Sequence, residues 1–106
     1  MAIVDITIIP VGTNESSVSE YVADIHRVLE TYQDKVNYQL TPMSTIIEGE
    51  LPILFEIIQA LHEVPFSKGV QRVATNIRID DRRDKKLTMV GKLSSVEDKL
   101  NQEDLK

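Results

Sequence analysis

Residues 2–11 alternate along the chain. Ala2, Val4, Ile6 and Ile8 fall on one side of an extended segment, and Ile3, Asp5, Thr7, Ile9 and Val11 on the other. Successive side chains of a strand point to opposite faces, so this run predicts a strand with one apolar and one mixed face. Pro10 and Gly12 close it, and Ser17 with Glu20 then stands at capping-box spacing. Val18, Tyr21, Val22, Ile25, Val28, Leu29 and Tyr32 recur every three or four residues. That stripe predicts a helix over roughly 17–33.

Alternation returns over Val36–Thr41, with Val36, Tyr38 and Leu40 opposed to Asn37, Gln39 and Thr41. Pro42 interrupts, and Ser44–Glu48 reads as a second short strand, joined to the first as a hairpin. A second helix opens at Gly49-Glu50-Leu51-Pro52, where proline is tolerated in the first turn. Its stripe is Leu51, Leu54, Phe55, Ile58 and Leu61, and Pro65 and Gly69 bracket its end. Val70–Asp80 predicts a fourth strand, with Val73, Thr75, Ile77 and Ile79 opposed to Arg72, Ala74, Asn76, Arg78 and Asp80. Beyond a charged turn, Leu87–Val90 predicts a short fifth strand. Ser94 with Glu97 repeats the capping-box spacing before a terminal helix containing Val96 and Leu100.

The order β-α-β-β-α-β plus a tail gives a single α+β domain over residues 1–106. The handedness of split crossovers makes it a ferredoxin-like sandwich, an antiparallel sheet in order 4-1-3-2 with both helices on one face. The opposite face then collects Ile3, Asp5, Thr7, Ile9, Asn37, Gln39, Thr41, Ile46, Glu48, Ala74, Asn76 and Arg78. This mixture is neither a solvent face nor a second core. Two readings fit it: a sheet-to-sheet homo-oligomer through Ile3, Ile9, Ile46, Arg78 and Asp80, or a solvated face with a few exposed isoleucines.

Composition narrows the function classes. The chain has no cysteine, which removes disulfides, thiolate metal sites and cysteine nucleophiles. Seventeen acids against twelve Lys and Arg give a net charge of −5, the wrong sign for a general nucleic-acid or anionic-membrane binder. The start Met-Ala-Ile-Val-Asp has no basic leader, and no apolar run approaches the roughly 20 residues of a membrane span. A cytoplasmic protein is the expectation.

Candidate chemistry is sparse. His26 with Glu30 and His62 with Glu63 lack a third ligand at a recognisable spacing, so no metal and no cofactor are expected. The turn Pro10–Asn14, with Gly12 alone, lacks the glycine density and the following Lys-Ser/Thr of a phosphate cradle. Arg78, Arg82, Arg83, Lys85, Lys86 and Lys92 are offset by Asp80, Asp81 and Asp84, with no aromatic residue among them to stack a base. Asp5 and Glu48 form a conceivable carboxylate pair, and ion pairing with Arg72 or Arg78 is the more economical account. Nothing pairs a nucleophile with a histidine, so the residues do not support an enzyme.

Four blocks carry a resemblance: Thr41–Gly49, Arg72–Lys85, Pro10-Val11-Gly12 and Gly91–Val96. Together they resemble the thiamine-binding protein family, over about residues 2–100. The resemblance implies a ferredoxin-like, non-enzymatic homo-oligomer, a dimer or commonly a tetramer of paired sheets, that binds thiamine or its hydroxymethylpyrimidine part. Within the matching blocks it implies ligand roles for Thr45, Glu48 and Asn76, with hydroxyls from Thr41 and Ser44. Glu48 would offset the cation or bind the amino group, and Asn76 would read the pyrimidine edge. Strand parity puts Glu48 and Asn76 on one face and points Thr45 away. Tyr38 and Phe55 are candidates for a ring face, with core packing as their other role. The competing classes are a ligand-free structural or regulatory oligomer and an enzyme acting on a small metabolite.

Overall fold

The computed structural model describes residues 1–12, 19–84 and 89–104. Its elements are β1 (Ala2–Pro10), α1 (Ser19–Glu30), β2 (Asn37–Leu40), β3 (Thr45–Gly49), α2 (Leu51–Ser67), β4 (Val73–Asp81) and α3 (Met89–Asp104). The strands pair antiparallel in the order β2-β3-β1-β4, the ferredoxin-like arrangement expected from the element order. Ser17, half of the first capping box, lies outside the described residues.

Register assigns the two faces. Val4 lies between Ile47 and Ile79, and Ile6 between Thr45 and Ile77, so the inner face is the one the alternation predicts. Ala2, Val4, Ile6 and Ile47 from the sheet meet Ile25 and Leu29 of α1 and Leu54, Ile57, Ile58, Leu61 and Val64 of α2. Full burial of each large aliphatic side chain contributes roughly 1.5–3 kcal/mol. Coverage fails at the β4 edge, where Ile77 and Ile79 stay 45% and 38% exposed although they share the inner face.

One local expectation on α2 is corrected. Phe55, placed in its core stripe by sequence, is 53% exposed, and Ile57 is buried instead. The buried set 54, 57, 58, 61, 64 and 65 steps by three and four, leaving Phe55 round the helix from Leu54. The helix ends at Ser67, between Pro65 and Gly69 as expected, with Pro65 buried in its last turn. The exit is made beyond it: Lys68 and Val70 donate to the Pro65 carbonyl, and Gly69 adopts a left-handed φ of 90°.

The tail differs too. Met89 and Val90, expected in a fifth strand, form the first turn of α3, and Leu87 and Thr88 lie outside the described residues. Met89, Leu93, Val96 and Leu100 follow the helical four-three-four spacing, which a strand's two-residue period does not explain. The helix therefore begins five residues before the Ser94 cap that the sequence offers. Val90, Leu93, Val96 and Leu100 are each more than half exposed, so α3 leaves the body after its first turns. The Cα radius of gyration is accordingly 16.3 Å and the longest extent 55 Å. A compact chain of this length has a radius of about 13 Å. Among the described residues no helix is long and apolar enough to cross a membrane.

Candidate ligand-binding site

Where α3 starts, it lies over the outer face of the sheet and leaves a hollow of about 770 Å³. That volume falls within the range of small-molecule pockets. Ile3 of β1 and Ile46 of β3 supply apolar floor, and Met89 and Leu93 of α3 supply a wall. Asp5, Asp80, Asp81, Gln39 and Arg78 supply polar edges. Three carboxylates and one guanidinium line it, and with Arg83 paired to Asp81 from outside the lining the rim keeps one net negative charge. Arg78 donates to Asp5 at 3.0 Å from the facing position on β4, the ion pair that the sequence favours for Asp5. Asp81 is held below the usual carboxylate range, chiefly by hydrogen bonds from the Arg83 guanidinium. It therefore carries its charge at neutral pH. An apolar floor with an acidic rim suits a flat ring that bears a positive charge or several N–H donors.

Glu48 stands beside this hollow and is spoken for. It is 5% exposed, the one charged or polar residue buried among those described. Asn37 Nδ2 donates to its Oε1 at 2.7 Å, and the Met89 backbone N–H donates to its Oε2 at 2.8 Å. Asn37 faces Glu48 directly across β2 and β3, and Ile3 faces it from β1. A buried carboxylate is costly unless hydrogen-bonded, and a helix N-terminus is a favourable place for it.

The other residues expected at a ligand site are dispersed. Thr41 and Ser44 are used in the β2–β3 turn: the Ser44 N–H donates to Thr41 Oγ1, which donates back to the Ser44 carbonyl. Thr45 faces Ile6 on the inner side, so it points away as parity indicates. Asn76 shares the outer face with Glu48 but is aligned with Thr7, whereas Glu48 is aligned with Ile3. Four residues along a strand and two strands across separate them by about 16 Å. Parity fixes a face and says nothing of distance along it, so the two do not meet in one pocket. Tyr38 packs edge-on against His26, and the exposed Phe55 belongs to α2, away from the outer face.

The residues expected at a subunit contact come closer together. Ile3, Ile46, Arg78 and Asp80 all line the hollow, and Ile9, 47% exposed, lies farther along β1. Ile3 is already 8% exposed within one chain. Sequence reasoning missed Asn37, Gln39, Met89 and Leu93 as site residues. The parity of Asn37 and Gln39 with Glu48 was a usable signal for two of them.

Other hollows are less suited to a ligand. One of about 700 Å³ at the start of α2 is lined by Glu50, Leu51, Arg82 and Arg83. Its arginines are engaged, Arg82 by Asp84 and Arg83 by Asp81. Both histidines are on the helix layer: His26 lies 3.2 Å from Glu30, and His62 Nδ1 is 2.7 Å from Thr75 Oγ1. Among the described residues no group of three His, Asp or Glu side chains is placed to hold a metal.

Comparison with known proteins agrees with this architecture. The chain is 65% identical over 98 residues to the UPF0045 protein YqgV of Bacillus subtilis (strain 168), covering 91% of this chain and 94% of that one. It is 59% identical over 103 residues to a UPF0045 protein in the glkA 3' region of Staphylococcus xylosus, covering 95% and 96%. The crystal structure of the hypothetical protein MJ1052 of Methanocaldococcus jannaschii superposes with a TM-score of 0.79 at 29% identity, covering 91% and 95%. A Thermotoga maritima protein provisionally assigned to thiamine biosynthesis or salvage superposes at 0.72 with 18% identity, covering 90% and 97%, a likeness of fold. The family model described as thiamine-binding protein matches residues 4–97, nearly the whole sheet-and-helix body together with the start of α3, and on that extent the chain belongs to the thiamine-binding protein family.

Proposed function

We propose that this protein is a non-enzymatic binder of thiamine or its hydroxymethylpyrimidine part, working as a homo-oligomer in the cytoplasm. The family match over residues 4–97 carries the reading. The acid-rimmed hollow over Ile3 and Ile46 supports it, because thiamine joins a flat aminopyrimidine to a cationic thiazolium. Asp5, Asp80 and Asp81 are the carboxylates assigned to the cation, and Gln39 is assigned to the ring edge. Binding is favoured over turnover because both histidines face the helix layer and neither lines the hollow. Self-association is supported by apolar side chains left open on Ile9, Ile77 and the α3 stripe.

Titration calorimetry with thiamine and with hydroxymethylpyrimidine tests the reading. Saturable heat for either is the expected result. Absence of heat and of any thermal shift at millimolar ligand would remove it. Asp5→Asn is expected to weaken thiamine more than the uncharged pyrimidine, since only thiamine carries the fixed charge.

A further inference from the structure

We propose that Glu48 is a positioning residue for the hollow, holding α3 in place and making no contact with the ligand itself. The inference rests on the reading that the hollow is the ligand site. Glu48 is 5% exposed, and no cation pairs with it among the described residues. Its charge is instead met by one donor on each oxygen, Asn37 Nδ2 at 2.7 Å and the Met89 N–H at 2.8 Å. One carboxylate thus joins β2, β3 and the first residue of α3.

The wall of the hollow depends on that junction. Met89 and Leu93 form it, and both lie in the first turns of α3, beyond which Val96 and Leu100 are open to solvent. A helix start must satisfy its free N–H groups, and the Glu48 carboxylate accepts from the first residue of α3. Releasing Glu48 would free the wall and open the hollow without altering its acidic rim. A direct ligand contact and a positioning role therefore separate by charge. A contact discriminates cationic from neutral ligands, whereas a wall serves both.

The test uses the full chain carrying Glu48→Gln, Asn37→Ala, Met89→Pro or Met89→Ala. Proline at the first helical position preserves the helix and deletes its N–H, and Met89→Ala accounts for the wall side chain lost with it. Affinities for thiamine and for neutral hydroxymethylpyrimidine are measured together with backbone hydrogen exchange. Glu48→Gln against the parent, and Met89→Pro against Met89→Ala, are each expected to weaken both ligands by the same factor. Loss of a charge-assisted hydrogen bond makes that factor about tenfold. Both variants should speed exchange in the first turns of α3 and leave the sheet protected, while Met89→Ala keeps α3 exchange at the parent level. Selective loss of thiamine in Glu48→Gln with α3 exchange unchanged would overturn the proposal, as would parent-like exchange in Met89→Pro. If Glu48→Gln does not fold, Met89→Pro and Asn37→Ala decide by the same criteria. If the parent binds neither ligand, the functional reading fails, and the exchange comparison still decides whether Glu48 holds α3.

Discussion

Gly49 shows how tightly one residue binds two elements of the core. A Cβ placed on it would lie 2.7 Å from Val36 Cγ1, inside contact distance of the side chain that leads into β2. Gly49→Ala is therefore expected to cost about 1–3 kcal/mol, the usual penalty of overpacking, measured by urea denaturation. In a Val36→Ala background the same substitution should cost measurably less, because the clashing methyl is gone. The close approach was not legible beforehand: Gly49 reads equally well as a helix start, and only tertiary packing brings Val36 over it. Glu48 failed to be legible for the same reason. Its face followed from alternation, but the amide of Met89, forty-one residues away, could not be read from spacing.

At the scale of elements, strands were the readable part. Period-two alternation placed Val4, Ile6, Ile8 and Ile47 on the inner face, and register agrees. Helix limits were unevenly readable: α2 ends between Pro65 and Gly69 as those residues indicate, whereas α3 starts at Met89, ahead of the Ser94 signal. The two helices of the core are tied at the surface by Lys68, whose Nζ lies 2.9 Å from Asp24 and 3.0 Å from Glu20. Hydrogen bonding to Lys68 holds the Asp24 carboxyl below its ordinary range, and Asp24 in turn raises the Lys68 ammonium above its own. An acid whose pKa is lowered on folding stabilises above its unfolded value and loses that stability as pH falls through the folded value. A raised lysine behaves oppositely, losing its contribution only as pH climbs through its folded value. Asp24→Asn is thus expected to flatten the acid limb of a melting-temperature profile and to leave the neutral plateau lower. A parent and variant with superimposable acid limbs would deny the tie a stabilising role.

For the whole molecule, shortness argues for assembly. A chain of 106 residues builds one helix-covered core, yet Ile9, Ile77, Val96 and Leu100 remain open. Light scattering is expected to return a multiple of the 12.0 kDa chain mass. Ile9→Asp, which places a charge on the outer face, should shift that mass toward one chain; an unchanged mass would take this face out of the contact. The sequence made the second face conspicuous but left its occupancy open, since α3 covers Ile3 from within the same chain.

The reach of α3 also governs how the protein will behave on a gel-filtration column. A radius of gyration of 16.3 Å exceeds the compact value by about a quarter. A solitary chain would therefore elute ahead of a globular chain of equal mass, so elution position alone overstates the mass of one copy.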